Sequence, residues 1–143
     1  MKVLPAGVTS VADVGSGAGF PGLPVKIMAP GLKMYLLEPV RKKALFLRHI
    51  VSALRLEGVE VLDRRIEEAE GLEVDAAMTR ALYSVGEFIE KAGRIVTEKG
   101  LLLLSKGPKL SEELEGLDMD RITVTDVGLP FDGAVRHLVA VRR

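Results

Sequence analysis

Cysteine is absent from the 143 residues, which removes a disulfide framework, an iron–sulfur cluster, a thiolate nucleophile and a cysteine-rich zinc site. Tryptophan is missing too. Only two histidines occur, His49 and His137, so a histidine-based metal site is short of ligands and no metal is expected. The aromatic residues are four Phe and two Tyr, too few for the stacking platforms of single-strand binders. There is no run of about 18 apolar residues, and no charged N-terminal segment leads into an apolar stretch. The expectation is a soluble cytoplasmic protein with no membrane partner, monomeric by default.

Net charge is also lacking, at +0, which argues against gripping nucleic acid by bulk charge. The zero hides an asymmetry. Residues 1–65 carry ten Lys/Arg against five Asp/Glu, and residues 66–143 carry ten against fifteen. A local basic face and chance scatter over solvated surface both fit that pattern.

What is present is ordinary for a folded domain: 48% apolar and 28% charged residues, enough chain for one core without staples. One domain over residues 1–143 is expected. Short β-branched runs alternate with helical patterns. Val11–Val14, Lys33–Glu38, Val59–Asp63, Val74–Thr79 and Leu101–Ser105 read as strands, the last entered from Lys99-Gly100. Residues 40–56 read as a helix closed by Gly58, Ser84–Thr97 as a second, and Ser111–Glu115 as a short acidic one. Ile122–Val127 and His137–Val141 form a terminal pair of strands around a Gly- and Pro-containing turn, so one closing strand runs antiparallel. The alternation predicts an α/β fold with a mostly parallel sheet between helices.

In the helix from Val40, Ala44, Leu47, Ile50, Val51 and Leu54 fall on one side at about 100° per residue. Arg41, Lys42, Arg48, His49 and Arg55 fall on the other. A solvated basic face and a phosphate-tracking stripe are both open readings. Arg41, Arg48 and Arg55 recur every seven residues, nearly in line. Lys43 is the exception, a cation inside the apolar sector.

The stretch that carries chemistry runs Val11-Ala-Asp-Val-Gly-Ser-Gly-Ala-Gly-Phe-Pro-Gly22. A strand runs into Gly15, Gly17, Gly19 and Gly22, then into a helix started by prolines. Asp13 sits in the strand, and Glu38 closes the next one, where a carboxylate can accept both hydroxyls of a ribose at a sheet switch point. Residues 17–22 formally spell G-x-G-x-x-G, so NAD and a dehydrogenase are one reading. Counted from Gly15, however, Phe20 stands where the dinucleotide fingerprint needs Gly. A buried acid at 13 also suits a cationic methionine-type ligand better than a pyrophosphate. No Tyr-Lys or His pair suggests hydride-transfer chemistry. S-adenosylmethionine (SAM) is therefore the cofactor expected, with S-adenosylhomocysteine as product, and Asp13, Gly15, Gly17, Gly19, Phe20 and Glu38 as its binding residues.

The strings DVGSGAGFPGLPVKI (13–27), LLEPVRKKALFLRHI (36–50), MTRALYS (78–84), LLLSKG (102–107) and RHLVAVRR (136–143) resemble the glucose-inhibited division protein B (GidB) family, bacterial 16S ribosomal RNA (guanine-N7) methyltransferases. The resemblance covers nearly the whole chain from Val11. It implies a Rossmann-like SAM-dependent methyltransferase fold with a seven-stranded sheet, and methylation of one guanosine in small-subunit rRNA. It also implies SAM contacts at Gly15 and Phe20, at Ile66 and Glu67 beside the adenine, and at Arg80 after the fourth strand. Family members usually carry an N-terminal helical extension, which this sequence does not show ahead of its glycine strand. The alternative is thus a SAM-binding domain without its own RNA grip, acting with a partner or a further segment.

Guanine N7 carries a free lone pair, so no general base is required, and catalysis is expected from proximity and alignment. Asp13 and Glu38 then orient ligand rather than form an acid–base pair. Arg80 and Lys106, each after a strand at the carboxyl end of the sheet, are the catalytic candidates. Lys106, Arg136 and His137, with Arg41, Arg48 and Arg55, are the candidates for contact with rRNA or the 30S particle, through phosphates and a single inserted base.

Overall fold

The computed structural model describes residues 4–143. Strands β1 (Ser10–Val14), β2 (Lys33–Leu37), β3 (Val59–Leu62), β4 (Val74–Arg80), β5 (Val96–Lys106), β6 (Ile122–Gly128) and β7 (Val135–Arg142) form one sheet in the order β3-β2-β1-β4-β5-β7-β6. All neighbours pair in parallel from β3 through β5, and β7 alone runs against them, between β5 and β6. This is the mostly parallel seven-stranded sheet expected.

Side-chain alternation along the central strands sorts the core into two layers. Ala12, Val14, Ala77, Leu102 and Leu104 face α3 (Val85–Ala92) and α4 (Leu110–Glu113), where Phe88 is fully buried. Val11, Met34, Leu36, Met78 and Leu103 face α1 (Gly22–Met28) and α2 (Arg41–Ala53), through Leu23 and Leu47. Two polar ties hold the frame. Asp75 Oδ2 accepts bonds from the amides and hydroxyls of Thr9 and Ser10, fixing β1 to β4. The buried Lys26 ammonium donates to the carbonyls of Pro30 (2.6 Å) and Leu32 (2.5 Å), closing the turn from α1 into β2.

Several boundaries differ from the sequence reading. Helix α2 stops at Ala53, because Arg55 adopts a left-handed φ of 51° while its amide bonds Ser52 O and the Leu56 amide bonds Val51 O. That is a Schellman closure, made three residues before Gly58. Arg55 therefore leaves the helix, and Leu54 is exposed rather than packed. Lys43 is exposed and not part of the buried stripe. Helix α3 is short. Ser84 caps it by a reciprocal bond pair with Glu87, but it ends at Ala92, and the β-branched Val96-Thr97 joins β5 instead. Lys99-Gly100 consequently lies inside β5, where the pairing with β4 shifts register between Val74 and Ala76. The acidic helix is Leu110–Glu113 rather than 111–115. His137 lies within β7 instead of opening it.

Candidate functional site

Every parallel strand ends on the same edge, and the loops after β1, β2, β4 and β5 meet there. At the end of β1 the amides of Gly15 and Ser16 both donate to Leu37 O, at 2.9 and 3.0 Å. The chain thus turns directly across the end of β2. Gly15 has φ 74°, and a Cβ there would lie 2.4 Å from Leu82 Cδ2. Gly17 has φ 57° but faces open space, with nothing within 4 Å of where a Cβ would stand. A side chain at Gly15 would have to displace the Leu82 tip, whereas Gly17 leaves main chain bare.

Asp13 is fully buried. Its Oδ2 accepts the Gly22 amide at 3.0 Å, and its Oδ1 is buried with no hydrogen-bond partner. Desolvation raises its pKa to about 6, opposed by the Gly22 bond, the nearby Ser16 hydroxyl (which itself donates to the Asp13 carbonyl) and the Arg80 charge, and reinforced by Glu38. Glu38, 4% exposed at the end of β2, makes no side-chain hydrogen bond or ion pair among the described residues. Its own amide donates to Leu62 O. A buried carboxyl oxygen with unfilled acceptor capacity, as at Asp13, is costly unless a ligand supplies a donor.

Beside them lies a cleft of about 360 Å³, lined by Val14, Gly15, Leu37, Ile66, Leu82 and Tyr83, among others. Ile66 and Glu67 begin a 3-10 turn between β3 and β4. Glu67 lines the cleft while ion-paired to Lys91. The structure therefore brings Gly15, Ile66 and Glu67 together, with Asp13 behind the loop. Phe20 is about half exposed on the loop between Gly19 and Pro21.

Arg80 is exposed at the end of β4 and lines a second cavity, of about 270 Å³, with Pro21, Thr79 and Ser105. Lys106 is not an open surface cation. It is 8% exposed, with one donor on Glu113 Oε2 at 2.8 Å and another on Tyr83 O. Glu113 Oε2 also accepts the Val85 amide at 3.0 Å, so the group braces loop 81–84 over the cleft.

The basic stripe along α2 does not form as expected. Arg48 bonds Asp63 Oδ1 and Val61 O, both at 3.0 Å, and Arg55 is off the helix. Only Arg41 of the three remains a free helical cation among the described ion pairs. The His137 Nδ1 contacts Asp126 Oδ1 at 2.6 Å, which ties the ring into the β6–β7 hairpin. Arg136 is exposed, its guanidinium close to Gly107. A larger concavity, about 870 Å³, lies at the other end of the strands around Val8, Gly100 and Leu101 and holds none of these groups. No group of three His, Asp or Glu side chains is placed to hold a metal among the described residues.

Sequence reasoning missed Leu82, Tyr83 and Pro39, which line the cleft. Ala81, at φ 56°, turns the chain so that Leu82 lies on Gly15, and no residue type at 81 signals this. The role of Gly22 as the partner of Asp13 is equally invisible in sequence, because it depends on where α1 docks.

The model of the family described as rRNA small subunit methyltransferase G matches residues 1–137. The chain is 36% identical to the ribosomal RNA small subunit methyltransferase G of Desulfotalea psychrophila, over 99% of this chain and 70% of that protein. It is 38% identical to the protein of the same name from Helicobacter acinonychis, over 78% of this chain and 63% of that one. The chain thus spans roughly two thirds of the length of these relatives. Among solved structures, a predicted O-methyltransferase from Agrobacterium tumefaciens superposes with a TM-score of 0.74, at 23% identity, over 98% of this chain and 76% of that one. An rRNA methylase from Streptococcus thermophilus gives 0.68, at 18% identity, over 94% and 87%. At such identities these likenesses show the fold.

Proposed function

The chain belongs to the rRNA small subunit methyltransferase G family, and we propose that it transfers a methyl group from SAM to N7 of a guanosine in 16S rRNA. The observation that carries this is the partnerless buried oxygen of Asp13 beside bare glycine main chain, with the unpartnered Glu38 one strand away. This donor-poor, acid-lined cradle suits a ligand with hydroxyl and ammonium donors. It suits the pyrophosphate of NAD poorly, since two buried acids repel it.

In this reading Glu38 accepts the ribose hydroxyls, Leu37 and Ile66 offer apolar surface to the adenine, and the Gly15–Gly19 main chain borders the amino-acid end. Asp13 offers its free oxygen to that end, and the Gly22 amide holds the carboxyl group in place. Bound there, SAM supplies an electrophilic methyl group on a sulfonium sulfur. Guanine N7 needs no base, so the chain has only to hold the base in line and keep water out. In this reading Arg80, which lines the second cavity, steadies the guanine or its phosphate. Lys106 braces loop 81–84 and has one remaining donor to offer. The domain acts in the cytoplasm on the 30S particle; no helix among the described residues is long and apolar enough to cross a membrane.

A second reading is favoured by the fate of the arginine stripe. With Arg48 tied to Asp63 and Arg55 off the helix, the chain alone holds RNA weakly and relies on a partner or a further segment. Incubation with tritiated SAM and 30S particles, followed by nuclease digestion, separates the readings. Label in 7-methylguanosine supports autonomous transfer. Cofactor binding without transfer supports the second reading, and label at another atom counts against both.

A further inference from the structure

We propose that Phe131, at the tip of the β6–β7 hairpin, stacks on an RNA base neighbouring the target guanosine; this rests on the reading of the chain as an rRNA methyltransferase. Strand β6 pairs antiparallel with β7, and β7 antiparallel with β5. Strand β6 therefore runs parallel to β5 and ends, at Gly128, on the sheet edge that carries the glycine loop, Glu38 and Arg80. The turn that follows projects from this edge.

That turn is closed by its own bonds. The Leu129 amide donates to Ala134 O at 2.7 Å, and the Ala134 amide to Asp132 Oδ1 at 2.9 Å. Phe131 stands at its tip with φ 89°, a conformation that residues with side chains seldom adopt. The residue is 106% exposed, whereas Phe88 is 0% exposed and Phe20 and Phe46 are half covered. In a chain with four Phe and no Trp, one phenylalanine is held out from this edge, uncovered by the other described residues.

The surroundings favour a nucleotide as its partner. Arg136 is an exposed cation at the start of β7, close to Gly107 where β5 ends. The hairpin's acids are engaged, Asp126 with His137 and Asp132 with the turn amide. On one edge of the sheet, an exposed ring at the hairpin tip and an exposed guanidinium at its base offer a stacking face and a phosphate contact. Strand β6 stands three positions from β4 in the sheet, a lateral offset of about 14 Å at roughly 4.8 Å per strand. That exceeds the reach of one nucleotide, so the stacked base is a neighbour of the target and not the target itself.

The test uses the 143-residue chain with 30S particles. Phe131→Ala should raise KM for the particle about tenfold, within the range for loss of one base–aromatic stack, with kcat, S-adenosylhomocysteine affinity and Tm unchanged. Phe131→Trp should restore KM, and its indole, the only one in the chain, should be quenched on binding. Phe131→Leu should remain impaired, since it keeps the apolar bulk but not the π face. The proposal is overturned if Ala leaves KM unchanged, if Leu rescues as well as Trp, which points to an apolar protein contact, or if the bound Trp is not quenched. A parent chain that binds cofactor but neither binds nor methylates the particle overturns it along with the autonomous RNA reading.

Discussion

Gly22 and Asp13 fix each other: the Gly22 amide donates to Asp13 Oδ2 at 3.0 Å, and a Cβ on Gly22 would stand 2.6 Å from that same oxygen. The first residue of α1 thereby sets the carboxyl orientation that leaves Oδ1 free. Under the proposed function, folding and ligand recognition share this contact.

The two glycines should separate on substitution. Gly22→Ala forces its methyl group against Asp13 and Leu36 Cδ2, also 2.6 Å away, and should cost about 2–3 kcal/mol of stability as an overpacked core site. Gly17→Ala meets open space and should cost only about 1–2 kcal/mol for its left-handed backbone, yet abolish S-adenosylhomocysteine binding. Denaturant melts and calorimetry on both variants check this. A Gly17 variant that binds normally removes the loop from the site.

Asp13 should make the protein less stable at neutral pH. Its folded pKa of about 6 lies above the ordinary aspartate value of 3.8, so it binds its proton more tightly when folded. That contribution is fully present below about pH 4 and is lost as pH rises through about 6, a change of about 3 kcal/mol in order of magnitude. Asp13→Asn should therefore melt higher than the parent at pH 7.5, with the gap closing below pH 4, while cofactor affinity falls. A melting difference that does not vary with pH would contradict the assignment.

Glu38→Ala should weaken S-adenosylhomocysteine by about 1.5–3 kcal/mol, the range for hydrogen bonds to a charged group. Glu38→Gln should fall between. The loss belongs in binding rather than in Tm, because Glu38 bonds no other described side chain. Equal affinity in parent and Ala variant would exclude a ribose contact.

Lys106→Met should cost stability, since it leaves Glu113 facing loop 81–84 with only the Val85 amide. About 3 kcal/mol is expected, at the lower end for a broken buried pair because Glu113 is partly exposed. Stopped-flow unfolding and KM for the particle read this out. An intact Tm with a collapsed kcat would instead make Lys106 a group that touches the reacting base.

The parallel sheet was legible because strand–helix alternation and the Gly15–Gly22 run are local patterns, and the positions of Asp13 and Glu38 at strand ends were legible for the same reason. What sequence periodicity missed were decisions made by backbone conformation and distant partners. Arg55 continues the helical spacing of Arg41 and Arg48 on paper, but the left-handed closure after Ala53 removes it. Arg48 keeps its place on the helix, yet Asp63, just after β3, pairs with its charge. Lys106 read as an open cation because neither Glu113 nor the Tyr83 carbonyl is near it in sequence. Leu82 gave no signal, since its place over Gly15 depends on the positive φ of Ala81.

The measurement that bears most directly on the cradle is calorimetric titration of the 143-residue chain with S-adenosylhomocysteine and, separately, NAD, at pH 7.5 and pH 5. One molecule of S-adenosylhomocysteine should bind per chain at pH 7.5, more weakly at pH 5 as Asp13 takes up its proton, and NAD should not bind at either. Binding of NAD in preference, or no binding of S-adenosylhomocysteine at pH 7.5, would contradict the account.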